Sequence, residues 1–514
     1  MKPLRIEKST EQPQDASGYG SRREHRCCLI RPQESRGRKR AVALGVVMVF
    51  LTLAAACTVG PDYVRPPAVV PEAYKEMKGW KVAEPMDHLE RGKWWELFDD
   101  PQLSALEDQV DISNQNIAGA EAQFRQARAL VQAARSAYFP TATIGSSFSR
   151  SFQANPTVPT GPISVYSLPV DVSWEPDLFG RVRRSVESGR ATAQATAADL
   201  EGVRLTIQAE LAQNYFQLRT LDAQKQILSE TVAAFQKSLE LTKNRYAVGV
   251  ASRADVLQAE AQLKSTQAQE IDVGVQRAQL EHAIAVLTGK PASSLSIALA
   301  PLTELPPSIP VGLPSELLER RPDIAAAERR MASANAQIGV AIAAFYPTVT
   351  LSASGGFQSL NLAKWLTWPA RFWSVGAAIS ETLFEGGLRK AQTEQARAAY
   401  DATVASYRQT VLTAFQEVED NLAALRILGQ EASVQEEAVK AAQDSVVVTM
   451  NQYGAGIVAY LNVIITQTTA LSNQRVAMNI LGQRMTAAVL LVKALGGGWS
   501  ASDLPDNDTF VNKP

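Results

Sequence analysis

The stretch YFPTATIGSSFSRSF, Tyr138–Phe152, decides how this chain is read, because it has the pattern of a strand in a sequence dominated by helix. From Thr141 the odd positions are Thr143, Gly145, Ser147, Ser149 and Ser151, all small and mostly polar. The even positions Ala142, Ile144, Phe148 and Phe152 are apolar, with Ser146 and Arg150 as exceptions. A second segment, about 163–174, sets Tyr166, Leu168, Val170, Val172 and Trp174 against Ser167, Asp171 and Ser173. The pattern returns further on: Val349, Leu351, Ala353 and Phe357 alternate with Thr348, Thr350, Ser352 and Ser354. After them Trp373, Val375, Ala377 and Ile379 alternate with Ser374, Gly376, Ala378 and Ser380. Each segment has about the ten to twelve residues that a tilted strand needs to cross a bilayer. A half-buried sheet of a soluble sandwich alternates in the same way, but here each hairpin is inserted between long helices, with no second sheet to cover it. Four strands do not close a transmembrane barrel, and lipid tolerates no open edge. If these strands span a membrane, several chains share one barrel.

The helices point to duplication. SAYFPTATIGSS (Ser136–Ser147) and AAFYPTVTLSAS (Ala343–Ser354) place Pro140 and Pro347 207 positions apart. The same shift carries Glu121 to Glu328, Glu210 to Glu417, Asn214 to Asn421, Tyr246 to Tyr453, Gly249 to Gly456 and Gly289 to Gly496. A constant offset over most of two halves predicts a tandem structural repeat. Each copy reads as helix, β-hairpin, very long helix, helix. The first helix, about 101–137, carries Ile117, Ala120, Phe124, Ala127 and Val131 at helical spacing. The long helices, Arg181–Tyr246 and Leu388–Tyr453, contain no proline and would each extend roughly 100 Å at 1.5 Å per residue. Small residues at packing spacing, such as Ala391, Ala398, Ala402 and Ala405, would let neighbouring helices approach closely. The predicted organisation is a signal segment over 1–56, an N-terminal segment over 57–100, repeat one over 101–299, a Pro-rich linker over 300–313, repeat two over 314–497 and a tail over 498–514.

Charge and cysteine set the compartment. Residues 1–40 hold 11 Lys/Arg against 5 Asp/Glu, leaving 40 basic and 47 acidic residues after them. The net charge of −1 gives no sign of nucleic acid as a partner. The basic block ends at Arg38-Lys39-Arg40 and is followed by the uncharged run AVALGVVMVFLTLAAA before Cys57, the order of an export signal. The run is short for a bilayer-spanning helix. LAAAC resembles a bacterial lipobox with Ala54 in place of its usual leucine, so Cys57 is the expected lipidation site. With Cys27 and Cys28 inside the signal, Cys57 would be the only remaining cysteine, which excludes an intrachain disulfide and a thiolate metal site. After Cys57 only His88 and His282 remain, and no P-loop or dinucleotide fingerprint occurs, so no enzyme and no cofactor is expected. The cluster Glu417, Glu419 and Asp420 reads as a solvated or lumen-facing helix face rather than as paired catalytic carboxylates.

Several stretches resemble the outer-membrane factor family of tripartite efflux systems, specifically its NodT/OprM-type lipoproteins. They are CTVGPDYVRPP from Cys57, WWELFDDPQLSALEDQV (Trp94–Val110), ERRPDIAAAERRMASANAQIGVAIAAFYPTVTL (Glu319–Leu351), LFEGGLRKA (Leu383–Ala391), AYLNVIITQTTAL and KALGGGW. The resemblance implies a mixed α and β membrane protein. In it a homotrimer forms a twelve-stranded outer-membrane β-barrel, continued by a long periplasmic α-helical barrel. It also implies a periplasmic adaptor and an inner-membrane resistance-nodulation-division pump as partners, with small molecules passing out. Two rival ducts of the same shape serve type I protein secretion and metal-ion efflux; scarce Met and His on the strands argue against a dedicated copper or silver route.

The same resemblance assigns the periplasmic helix tips to VGVASRADV (Val248–Val256) and AGIVAYLNV (Ala455–Val463). It makes Gly249, Ser252, Arg253, Asp255 and Gly456 adaptor-contacting candidates and Leu461, with Tyr453 nearby, the aperture. Ser252 and Asp255 are equally suited to capping the next helix. Some relatives carry an Asp and an Arg one turn beyond the aperture leucine; here Ile465 and Thr468 stand there, which favours a hydrophobic constriction. The loops Gln153–Pro162 and Gln358–Arg371 are expected outside the cell, with Trp365 and Trp368 in an interfacial belt. Arg181, Arg183, Arg184, Arg389 and Lys390 are expected at the inner headgroups.

Overall fold

The computed structural model describes residues 58–68, 70–76, 93–152, 161–309, 314–506 and 509. The architecture below belongs to the unit Cys57–Pro514. The export signal, Cys57, His88 and most of the first external loop lie outside the described residues.

Helix α1 spans Pro101–Ser113 and α2 spans Gln115–Ser136, so the single helix expected over 101–137 is broken at Asn114. The cause is local. The Asn114 Oδ1 accepts from the backbone N–H of Asn116 (2.8 Å) and Ile117 (3.2 Å), which starts a new helix. Its Nδ2 donates to the Leu287 carbonyl at 2.7 Å, deep in the fold. In the second copy Arg321, 207 positions on, donates to the Ala494 carbonyl at 3.0 Å, likewise 207 positions beyond Leu287. Different side chains thus satisfy the same buried helix end in both copies.

The remaining elements obey the same shift. Strands β1 (Thr141–Ile144), β2 (Ser147–Ser151) and β3 (Ile163–Trp174) are followed by α3 (Arg181–Ala247) and α4 (Arg253–Leu287). The second copy has α5 (Pro322–Ala343), β4 (Thr348–Ser359), β5 (Arg371–Ser380), α6 (Leu388–Gly454) and α7 (Tyr460–Ala494). Both ends of α2, α3 and α4 are displaced by 207 from those of α5, α6 and α7. After α4 and α7, Gly289 (φ 69°) and Gly496 (φ 95°) turn the chain. A Cβ there would lie 2.3 Å from the Ser113 carbonyl oxygen and 2.0 Å from that of Arg320, again a 207-residue pair. Only glycine fits both demands.

The sheet has the antiparallel order β1-β3-β4-β5, with β2 also on β3. β1 and β2 are one strand in one register, since Ile144 faces Val170 and Phe148 faces Tyr166. The interruption falls beside Pro169, whose carbonyl accepts from the Gly145 N–H at 3.1 Å but which has no N–H of its own to return.

The main core lies where the first helices cross the long ones. Trp94, Trp95, Leu103, Tyr215 and Tyr407 are almost wholly buried there. Each such side chain contributes roughly 1.5–3 kcal/mol by leaving water. A second cluster, including Phe235, Tyr453, Tyr460 and Val463, packs the far end of the long helices.

Candidate functional site

The sheet has two chemically distinct faces, and the register aligns them across all four spans. One row runs Ala142, Val172, Ala353, Val375 and the next Ile144, Val170, Gly355, Trp373. The opposite face carries Thr141, Ser173, Ser352, Gly376 and Thr143, Asp171, Ser354, Ser374. The apolar face is bare within one chain: Trp373 is 80% exposed, with Ile144, Phe148, Val375 and Ile379 also exposed. At the loop end Trp368 is exposed beneath the Arg371 guanidinium, 4.1 Å from its ring centroid, and Trp365 lies against Tyr166.

Below the sheet, Arg184 does not face the headgroups as expected from its position after the returning strand. It is buried and donates to the Val59 and Gly60 carbonyls at 3.3 Å and to Asp62 at 2.9 Å, tying down the N-terminal segment. Further along, two arginines bind the irregular segments. Arg219 donates to Ala298 O (2.8 Å) and Asp222 (3.2 Å), while Arg277 reaches Asp222 (2.7 Å), Glu281 (2.7 Å) and Ile297 O (2.6 Å). Arg426, 207 residues after Arg219, pairs with Glu76, and Glu419 accepts from the Lys75 and Glu76 N–H groups at 2.7 and 3.0 Å. The first copy therefore holds the segment leading into the linker where the second holds the N-terminal segment.

About half a turn around the same helices, the opposite face is lined by neutral amides. Two residues along a helix rotate about 200°, so Gln217 and Gln224 point away from Arg219 and Asp222, and Asn421 away from Glu419. With Gln276, Asn479 and Gln483 they line a cavity of about 840 Å3 between α3, α4, α6 and α7.

The far tips show how the candidate residues are used. Gly249 (φ 80°) and Gly456 (φ 79°) turn the chain after α3 and α6, and the following N–H groups of Val250 and Ile457 close onto Arg245 O and Gln452 O at 2.9 Å. Ser252 and Asp255 form a reciprocal cap: the Ser252 Oγ accepts from Asp255 N at 3.1 Å and the Asp255 carboxylate from Ser252 N at 2.9 Å. Arg253, at the first position of α4, is exposed. The second tip lacks this cap, since Ala459 precedes α7.

Leu461 is 52% exposed, and Ile465 and Thr468 continue its exposed stripe along α7. Tyr453, by contrast, is only 4% exposed, packed on Tyr460 and donating to Thr242 Oγ1 at 3.3 Å. It supports the tip from inside. Burial, with Tyr453 beside it, pushes the Tyr460 phenol up to about 12. Sequence reasoning missed Arg245, whose guanidinium donates to the Tyr453 and Gly454 carbonyls at 2.9 and 3.0 Å and lies 4.7 Å from the Tyr453 ring centroid. Its counterpart in the other copy is Gln452, so the repeat carried no signal for it.

A sheet with one bare apolar face, continued by paired helices of 67 residues, is the shape of an outer-membrane duct. The family described as outer membrane efflux protein matches residues 106–290 and again 313–497, one match per copy. The chain belongs to this family. It is 30% identical over 466 residues to the solvent efflux pump outer membrane protein SrpC of Pseudomonas putida, covering 88% of this chain and 98% of that one. The pyoverdine export outer membrane protein OpmQ of Pseudomonas aeruginosa is 29% identical with the same coverage. Among solved structures, the outer-membrane channel OprN superposes with a TM-score of 0.81 at 32% identity, covering 86% of this chain and 100% of that one. The fold class is therefore that of the outer membrane efflux proteins, a trimeric outer-membrane β-barrel continued by a long helical domain into the periplasm. The chain is an efflux channel of the outer membrane.

Proposed function

We propose that three copies form the passive exit duct of a tripartite pump. A periplasmic adaptor would dock at the helix tips, and an inner-membrane resistance-nodulation-division pump would supply the energy. The bifacial sheet supports this reading most strongly: the apolar rows meet lipid, the Ser/Thr/Asp rows line water, and the face bearing Gln217, Gln224 and Asn421 continues that wet wall below. The segments held by Arg219, Arg277 and Arg426 then form a belt around the outside. Small molecules are the cargo in this reading, as the names of SrpC and OpmQ suggest for those relatives. Cys57 would carry lipid. Gly249, Ser252, Arg253, Asp255 and Gly456 would present the adaptor-facing tips, the first of them shaped by the reciprocal cap of Ser252 and Asp255. Leu461 would ring the closed aperture, held by Tyr453 from behind. The test is complementation of a strain lacking its own exit duct. With adaptor and pump genes present, the chain should restore low accumulation of a neutral fluorescent dye, and it should do nothing without them. Unchanged accumulation in both strains would refute the reading.

A further inference from the structure

We infer that the outer rim of the sheet holds a phosphate-bearing lipid of the membrane's outer leaflet, gripped by the guanidinium groups of Arg150 and Arg371. This rests on the reading that the apolar face meets lipid. Arg150 interrupts the apolar period of the first hairpin, on the side of the strand that carries Ile144 and Phe148. It is exposed, opposite Ser164 and next to the last rung, Ser151 with Ile163. Arg371 opens β5 opposite Phe357, on the side that carries Trp373 and Val375, and is exposed as well. Both arginines therefore stand on the lipid side, at its outer end.

The chain offers these charges no anion. Residues 141–170 and 348–380 hold Arg150, Lys364 and Arg371 and not one Asp or Glu. Asp171, the next acid, lies in the row of Thr143 and Ser354 on the opposite face. Among the described residues neither guanidinium is in an ion pair, and Arg371 rests over the Trp368 ring. The inner end of the sheet is built differently: there Arg181 pairs with Glu175 at 2.8 Å, Arg183 with Asp177 at 3.4 Å and Arg389 with Glu385. A cation on a lipid-facing strand is costly unless its head reaches the interface and meets an anion. Aromatic rings mark that level, with Phe148 on Tyr166 at 4.9 Å just inside Arg150 and exposed Trp368 beneath Arg371. A guanidinium offers two parallel N–H donors that match phosphate oxygens, and Lys364 in the outer loop adds a further positive charge. Cations meant for anionic cargo would stand on the wet face; the side taken by both arginines selects a headgroup.

The test is lipid binding by the full-length channel purified from outer membranes in mild detergent, read by native mass and by the thermal midpoint. The probes are bisphosphorylated lipid A, the same lipid stripped of its phosphates, and inorganic phosphate. The parent protein should retain lipid A and melt higher with it, and respond to neither of the other two. Arg150→Gln/Arg371→Gln should bind lipid A about tenfold more weakly or worse, while Asp171→Asn on the wet face should bind like the parent. Equal binding of the stripped lipid, or an unchanged affinity in the double variant, would overturn the headgroup site. Stabilisation by inorganic phosphate to the same extent would overturn the lipid as its occupant. A parent protein that assembles in the outer membrane yet retains no lipid A overturns the site and leaves the duct reading standing, whereas a chain that never enters the outer membrane overturns both.

Discussion

Glu107 on α1 is wholly buried, and neither carboxylate oxygen has a hydrogen-bond partner among the described residues. Burial first, then Asp111 and Asp108, raises its pKa well above the ordinary value. A carboxyl raised in this way binds its proton more tightly folded than unfolded. Its contribution is complete below an ordinary pKa near 4.5 and is lost as pH climbs toward the folded value. Glu107→Gln keeps the shape and removes the ionisation, so it should raise the thermal midpoint at pH 8, with little change at pH 5. Equal shifts at both pH values would show that the carboxyl does not titrate in this way. Arg245 acts locally at the other end of the molecule. Arg245→Ala removes two charge-assisted hydrogen bonds and a ring contact, a local loss of roughly 1–3 kcal/mol. Hydrogen exchange at the amides of residues 453–460 should accelerate while exchange around Trp94 and Tyr215 stays as in the parent protein.

Among the elements, the turns separate two costs of replacing glycine. At Gly249 nothing lies within 4 Å of a built Cβ, so Gly249→Ala should cost only the left-handed backbone, about 1–2 kcal/mol. At Gly289 the Cβ also collides with the Ser113 carbonyl, so Gly289→Ala should fold to markedly lower yield in outer membranes, with a lower thermal midpoint than Gly249→Ala. Similar behaviour of the two variants would mean that the α4–α1 contact yields easily. The repeat made these elements readable before any coordinates: a two-residue period and a 207-residue shift located the four spans and both long helices. Asn114 escaped because one polar side chain inside an apolar period does not announce a break unless its partner, here the Leu287 carbonyl far along the chain, is known. Arg184 was misread for the same reason. Its place after a returning strand suggested headgroups, while the Val59 and Gly60 carbonyls that bury it come from a segment with no periodicity.

For the whole molecule, three-fold assembly turns one exposed side chain into a ring. Leu461 is exposed on a helix whose first fifteen residues, Tyr460–Gln474, carry no charge, so a constriction there would resist ions by being apolar rather than by a salt-bridged latch. Truncating it acts three times at one level, whereas Tyr453 is packed inside each tip and should influence the opening only through Tyr460 and Thr242. In planar bilayers Leu461→Ala should therefore raise single-channel conductance by about twofold or more with unchanged trimer mass. Tyr453→Phe, which loses only the hydroxyl's bond to Thr242, should conduct like the parent. Leu461→Asp, which wets the ring and adds three negative charges, should raise cation selectivity as well as conductance. If all three variants conduct like the parent protein, the narrowest level of the duct lies elsewhere on the wall, and the uncharged stripe through Ile465 and Thr468 becomes the next place to measure.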